Sequence, residues 1–195
     1  MRYILASKSP RRREILCNIG VDFEIITADT DESSNICDPI ELAKDLALRK
    51  GQAVFDKLTS ECSISTDDII ISADTVVACD GKILGKPKDR EDARRMLTLL
   101  SGNKHSVVSG VALIKNGQHY VSHSETLVYF DEIPSSELEK YINTAEPYDK
   151  AGAYGIQGYA SLWTNRIDGC YFGVVGLPVN VLNKLHKDCT GRALI

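Results

Sequence analysis

The sequence predicts an α/β protein in which flanking helices cover a mixed β-sheet. Three observations support this class: strand-like runs that precede helical patterns, a continuous apolar run at 69–73, and hairpin turns at Asp80-Gly81 and Asn116-Gly117. Strand–helix units favour parallel pairing, whereas two-residue turns join antiparallel strands. Because both connections occur in one chain without internal repeats, we predict a single domain with a mixed sheet rather than a doubly wound parallel sheet.

The first strand and helix are marked by short local signals. Residues 3–5 are typical of a buried strand, and Ser9 suits the N-cap of the helix that follows. Pro10 suits the first helical position, since its missing N–H has no partner there in any helix. Apolar residues then alternate over 21–25, which predicts a second strand.

The next helix has the most strongly marked start. Asp38 as N-cap, Pro39 at the first position and Glu41 closing a capping box predict a helix that runs to about Lys57. The apolar run that follows is typical of a buried central strand, and it extends through residues 69–79.

The second half of the chain mixes hairpins with helices. In order, we predict a strand at 82–84, a helix from Asp89 to Gly102, strands at 106–114 and 120–130, a helix at 134–143, a glycine-rich loop at 146–159, paired strands at 160–167 and 170–175, and a last helix from Pro178.

Composition excludes several classes of function. The net charge of −4 argues against nucleic-acid or membrane-surface partners, so functional cations must be local. The six cysteines are scattered without a CxxC pair, which indicates reduced thiols in a cytoplasmic protein and argues against a metal–sulfur site. No apolar run reaches membrane-spanning length, and Lys8 with the following arginines interrupts any signal-peptide core.

Three arginines occupy an unfavourable place at the start of the first helix. Arg11, Arg12 and Arg13 fall in its first turn, where the helix dipole already contributes about half a positive charge. A bound polyanion would relieve this repulsion, and we predict an anion site there. Without an anion, truncating Arg12 is expected to stabilise the helix. The alternative is an ordinary solvated basic turn.

A carboxylate within an apolar strand is the strongest single candidate for a functional residue. Asp74 lies inside the run at 69–79, and burying a carboxylate without a partner is costly. We predict that it is a metal ligand or a general base; alternatively, it caps a turn where the strand emerges. Glu32, with Asp29 and Asp31, could supply further oxygen ligands for magnesium, or be merely solvated.

Further candidates are weak singly and stronger together. Lys50 and Lys86 are each typical of a surface, but with the arginines they could neutralise a triphosphate. Gln157 lies in the glycine-rich run at 149–158 and offers a donor and an acceptor to a base edge. That run lacks the strand–GxGxxG–helix context of a dinucleotide fold, and the chain has no GxxxxGK[ST] motif.

Together these features resemble a known family from end to end. The motifs that carry the resemblance are LASKSPRR at 5–12, ADT at 73–75, KP at 86–87, LSG at 100–102, DKAGAYGIQG at 149–158 and VGLP at 175–178. The chain resembles the Maf family of nucleoside triphosphate pyrophosphatases. The resemblance implies one catalytic domain over residues 1–195, with a deep cleft between two lobes, as in inosine triphosphate pyrophosphatases. It also implies cleavage of a nucleoside triphosphate to monophosphate and pyrophosphate with Mg²⁺ (or Mn²⁺), often by a homodimer.

The resemblance also implies a role for individual residues. The proton acceptor falls on Asp74, and the metal-binding glutamate falls on Glu32, which would share the metal with Asp74. Base choice falls on Arg11, Thr75 and Gln157, a trio that looks like the dTTP/UTP branch. The phosphate-binding residues are Ser7, Arg12, Lys50 and Lys86.

Two other classes of function stay open from sequence. A nucleotide-binding regulator without turnover would keep the arginines but would not need Asp74 together with Glu32. A nucleic-acid-binding module is disfavoured by the charge of −4 and by the lack of an aromatic-studded basic face.

Overall fold

The computed structural model describes all residues, 1–195. Single 3₁₀ turns lie at Glu146–Asp149, Ala151–Ala153 and Tyr159–Leu162. The strands are β1 (Tyr3–Leu5), β2 (Phe23–Ile25), β3 (Ile69–Cys79), β4 (Lys82–Leu84), β5 (Lys104–Lys115), β6 (Gln118–Phe130) and β7 (Thr164–Asp168). The helices are α1 (Pro10–Asn18), α2 (Pro39–Ser60), α3 (Arg90–Leu100), α4 (Ser135–Ile142), α5 (Tyr171–Val175) and α6 (Val179–Thr190).

All strands join one seven-stranded sheet, and the predicted mixed sheet is confirmed. Its order is β2-β1-β3-β5-β6-β7, and β4 pairs beside β3. Strand β1 runs parallel to both β2 and β3, whereas the pairs that follow β3 are antiparallel. One edge of the long central strand β3 pairs with β5, and its other edge pairs with β1 near the start of the strand and with β4 near its end.

Helices cover both faces of this sheet. Alternate residues of β3 point to opposite sides: Ile69 and Ile71 belong to the main core, and Ile70 packs with Val54 of α2 in a smaller cluster. This alternation explains the continuous apolar run, because a strand covered on both faces has no polar side.

The start of α2 follows its local sequence closely. One Asp38 carboxylate oxygen accepts hydrogen bonds from the N–H groups of Ile40 and Glu41, each at 2.9 Å. The predicted capping box is only half formed, because the Glu41 carboxylate pairs with Lys44 instead of returning to the N-cap. The helix lies directly on β5, with the backbone of Gly110 against the carbonyl of Ala43.

One local prediction is wrong. The segment at 170–175 is not a strand: α5 occupies it, and β7 pairs with β6 instead. Gly169 has a φ of +134°, and the N–H of Cys170 donates to Thr126 Oγ1, so the chain turns away from the sheet there. At α1, the predicted N-cap position of Ser9 is confirmed, but its side chain makes no capping hydrogen bond and its N–H donates to Ser7 Oγ.

A buried histidine in the core makes stability depend on pH. Burial lowers the pKa of His105 from 6.5 to about 4, and its Nε2 pairs with the Tyr154 hydroxyl at 2.7 Å. Between pH 6.5 and 4, His105 is therefore protonated in the unfolded chain and neutral in the folded chain. The free energy of unfolding should be highest above about pH 6.5, and it should fall by on the order of 3 kcal/mol as the pH drops towards 4.

Denaturant unfolding across this range checks that expectation. His105→Gln should flatten the slope of unfolding free energy against pH, although it lowers stability overall. His119→Gln, at an exposed position, is the matched control and should keep the slope. An unchanged slope in the first variant would contradict the account.

Candidate active site

One large cavity lies against the N-terminal segment, β3 and the glycine-rich loop. Its volume is about 1000 Å³, ample for a nucleotide. Every site residue predicted from sequence lines it: Ser7, Arg11, Arg12, Glu32, Lys50, Asp74, Thr75, Lys86 and Gln157. Residues up to 150 positions apart in the chain thus converge on one space.

A lysine and two carboxylates lie at the centre of this cavity. Lys50, on α2, places its Nζ 2.5 Å from Asp74 Oδ1 and 2.8 Å from Glu32 Oε1. Asp74 is buried in the middle of β3, opposite Gly110 of β5, so it does not cap a turn at the strand's end. The ammonium explains how a carboxylate is tolerated at this depth.

The same lysine keeps Glu32 charged. The hydrogen bond from Lys50 is the largest influence on Glu32 and lowers the pKa of its carboxyl, against the opposing effect of burial. The charges of Lys86 and Arg12 act in the same direction from further away. At neutral pH, Glu32 therefore offers an ionised oxygen ligand.

Arg12 is bound into the site rather than solvated. Its Nε donates to the carbonyl of Gly176 at 2.8 Å, and its other nitrogens donate to Ser7 Oγ and Thr75 Oγ1. Burial lowers the pKa of Arg12, but a guanidinium remains charged at neutral pH. Thr75 in turn hydrogen-bonds Ser109, which fixes the hydroxyl beside the guanidinium.

The glycine-rich loop forms the opposite wall. Arg11 reaches it through an ion pair with Asp149 at 3.7 Å, and Gln157 is exposed on the turn. Glu146 lies beneath that turn: a Cβ at Gly158 would lie 2.1 Å from its carboxylate oxygen. A larger residue at Gly158 would require the Glu146 carboxylate to move.

Sequence analysis missed several of these supporting residues. Ser109 holds Thr75 from β5, and it also donates to the carbonyl of Gly173 at 2.7 Å. Its signal was a serine inside an apolar strand. Glu146 and Asp149 lie in or beside the loop motif, and the close glycines there were the only hint of a side chain packed beneath.

The donor set fits a divalent cation that arrives with phosphate. No group of three or more histidine, cysteine, aspartate or glutamate side chains converges in the chain. Asp74 and Glu32, however, bring two hard carboxylates to one ammonium. Magnesium bound to substrate phosphates commonly uses only one or two protein carboxylates, so these two residues fit it.

Comparison with known proteins agrees with the motifs. The family model described as "Maf-like protein" matches residues 2–189. The chain belongs to this Maf-like family. The matched range includes every cavity residue predicted from sequence.

Several curated relatives are similar to this chain over most of their length. A protein named dTTP/UTP pyrophosphatase from Caldanaerobacter subterraneus subsp. tengcongensis is 45% identical over 189 residues, or 96% of this chain and 88% of the relative. A protein of the same name from Alkaliphilus metalliredigens is 46% identical, and the match covers 95% of this chain and 95% of the relative. Another from Clostridium botulinum is also 46% identical, and the match covers 93% of this chain and 94% of the relative. None of the helices in the Maf-like chain is both long and apolar enough to cross a bilayer.

Proposed function

We propose that this Maf-like protein hydrolyses dTTP and UTP at the α–β phosphoanhydride, releasing the monophosphate and pyrophosphate. The observation that carries the proposal is the convergence of two carboxylates and the four predicted cations on one nucleotide-sized cavity, namely Asp74, Glu32, Arg11, Arg12, Lys50 and Lys86. The names of the relatives support the reaction and the pyrimidine substrates. Modified pyrimidine triphosphates fall within the same proposal.

Asp74 is the proposed general base. A water molecule attacks the α-phosphorus, its proton passes to the Asp74 carboxylate, and the bond to the bridging oxygen breaks so that pyrophosphate leaves. A residue in the middle of a strand, paired with Gly110 of β5, can keep its carboxylate fixed against that water. Asp74 and Glu32 would hold Mg²⁺, or Mn²⁺, which neutralises charge on phosphate oxygens when bound.

Cationic side chains stabilise the charge that grows on pyrophosphate. Arg12 is already oriented by Gly176 and Ser7, so little reorganisation is needed when the phosphates arrive. Lys86 is exposed at the cavity wall and Lys50 lies at its centre. Each such donor is commonly worth about 3 kcal/mol in the transition state.

Base choice is proposed to rest on Gln157, Arg11 and Thr75. In uracil and thymine, N3–H is a donor between two carbonyl acceptors. The Gln157 amide can accept from N3–H and donate to one carbonyl, and Arg11 can donate to the other. Thr75 contributes through Arg12 and Ser109, which it contacts directly.

A panel of nucleoside triphosphates tests the function. With Mg²⁺, we expect kcat/KM for UTP and dTTP to exceed that for CTP by about 10-fold or more, because a buried mismatched polar pair costs about 1–3 kcal/mol. GTP should also be a poor substrate. Equal values for UTP and GTP would contradict the pyrimidine proposal alone; no turnover of any triphosphate would favour a nucleotide-binding regulator.

Gln157→Glu should erode this preference. A carboxylate still accepts from N3–H but cannot donate to a carbonyl, so kcat/KM for UTP should fall towards that for CTP. Gln118→Glu, at an exposed hairpin position outside the cavity, is the matched control. If Gln157→Glu keeps the preference at its original size, Gln157 does not contact the base.

Arg12→Ala should lower kcat and raise KM together, because the guanidinium meets charge on both substrate and transition state. The stabilisation expected from sequence should not occur. The side chain anchors the Gly176 carbonyl and Ser7 to α1, and its removal takes the side-chain donor from that carbonyl and one of two hydrogen bonds from Ser7 Oγ. Thermal unfolding checks this: a variant more stable than the parent would show that dipole repulsion dominates after all.

Two further features belong to the proposal. A homodimer is supported by exposed apolar side chains around edge strand β7, namely Tyr159, Leu162 and Tyr171. Light scattering after gel filtration tests it, and a monomer at micromolar concentration would contradict it. A cytoplasmic location is supported by six cysteines that all remain unpaired, a state typical of reducing compartments.

A further inference from the structure

The ammonium of Lys50 lies where the two proposed metal ligands meet. It contacts Asp74 Oδ1 at 2.5 Å and Glu32 Oε1 at 2.8 Å. The three groups come from different parts of the fold: α2, β3 and the loop after β2. Their convergence on one nitrogen therefore depends on tertiary structure rather than on neighbouring positions in a helix.

No other cation makes an ion pair with either carboxylate. Arg12 and Lys86 affect Glu32 only at a distance, and the Arg12 nitrogens are directed to Gly176, Ser7 and Thr75. Lys50 is thus the direct counter-ion of both groups. The Lys50 side chain is 19% exposed and that of Asp74 is 13% exposed, so water does little to screen this pair.

A divalent cation and this ammonium compete for the same two carboxylates. Lys50 contacts Oδ1 of Asp74 and Oε1 of Glu32, so magnesium bound by both residues would lie close to the ammonium, and two cations there repel each other. The long lysine side chain can swing towards phosphate oxygens once a nucleotide supplies them. When Lys50 exchanges the carboxylates for phosphate oxygens, Asp74 and Glu32 would become free to bind the metal that accompanies the nucleotide.

We infer that Lys50 is a placeholder for the divalent cation: it occupies the carboxylate pair until substrate phosphates draw it away. This inference rests on the proposed function. It gives Lys50 a role that phosphate binding alone does not, because it makes metal affinity depend on the nucleotide. Without a nucleotide, the protein binds Mg²⁺ or Mn²⁺ weakly, and metal enters together with the triphosphate.

Binding of Mn²⁺ to the nucleotide-free protein tests the inference without any turnover. Free Mn²⁺ is measured by electron paramagnetic resonance during titration of the full chain. Lys50→Met should tighten binding by about tenfold or more relative to the parent, since it removes a competing ion pair from both ligands. Adding Asp74→Asn to Lys50→Met should remove the gain.

Two control variants distinguish direct contact between a cation and the carboxylates from a general change in the charge of the cavity. Lys86→Met removes a cation near Glu32 that does not contact it, and should tighten Mn²⁺ binding far less than Lys50→Met. Lys50→Arg keeps a cation at the same place and should bind Mn²⁺ as weakly as the parent. Lys50→Gln serves if Lys50→Met fails to fold, and circular dichroism establishes folding of each variant.

Thermal unfolding supplies a second readout. Lys50→Met should unfold at a lower temperature than the parent without metal, and Mn²⁺ should restore much of the loss by binding the bared carboxylates. Equal Mn²⁺ affinity in the parent and Lys50→Met, or no binding by either, would overturn the placeholder role. Neither result would affect the proposed reaction, which is decided by its products.

Discussion

Replacing Asp74 with asparagine is expected to lower turnover of UTP by about 100-fold or more, the range typical of a lost general base. The change is nearly isosteric, but it removes the proton acceptor and one charged metal ligand. Because Asp74 lies in the middle of β3 and β3 is paired with β5 over residues 69–78, the fold should persist. Initial rates with Mg²⁺, and circular dichroism of the variant, check both parts of this expectation.

Asp80→Asn is the matched control for this variant. Asp80 lies in the hairpin turn just after β3, with a φ of +49° that asparagine adopts readily. It removes the same charge from the same hairpin, outside the cavity, and should leave the rate near that of the parent. A fully active Asp74→Asn variant would show that the central carboxylate does not act on the water.

Gly110→Ala is expected to cause the largest loss of stability. A Cβ at this position would lie 2.1 Å from the carbonyl oxygen of Ala43, which is backbone and cannot rotate away. The helix α2 would have to shift off β5. Overpacking of this kind costs about 1–3 kcal/mol or more, and we expect about 3 kcal/mol. For a chain of this size, the melting temperature should then fall by about 6 °C or more.

Gly85→Ala provides the comparison for that loss. No atom lies within 4 Å of a Cβ built there, so its melting temperature should stay close to that of the parent. Gly110→Ala should also slow turnover, because α2 carries Lys50. A melting temperature unchanged by Gly110→Ala would contradict the close contact between α2 and β5 at Gly110.

The fold could be predicted where local physics decides it. The start of α2 follows from Asp38 and Pro39, and the central position of β3 follows from its unbroken apolar run. The segment at 170–175 could not be predicted in this way. A short apolar run fits a strand and a buried helix equally, and here a contact with Thr126, 44 residues away, decided the outcome.

The site divides along similar lines. Arg12 and Asp74 could be predicted because each lies where its charge is unfavourable. Arg12 is a cation at a helix N-terminus, and Asp74 is a carboxylate in an apolar strand. The partners that satisfy them come from distant segments. The carbonyl of Gly176 lies 164 residues from Arg12, and no spacing in the sequence indicates that Lys50 contacts both Asp74 and Glu32.

Hydrolysis of UTP in H₂¹⁸O tests the central claim most directly. In the proposed reaction, water attacks the α-phosphorus and pyrophosphate leaves. Mass spectrometry of the products should therefore find one ¹⁸O atom in UMP, unlabelled pyrophosphate and no UDP at any time. Accumulation of UDP with orthophosphate, or ¹⁸O in pyrophosphate rather than in UMP, would contradict cleavage by attack at the α-phosphorus.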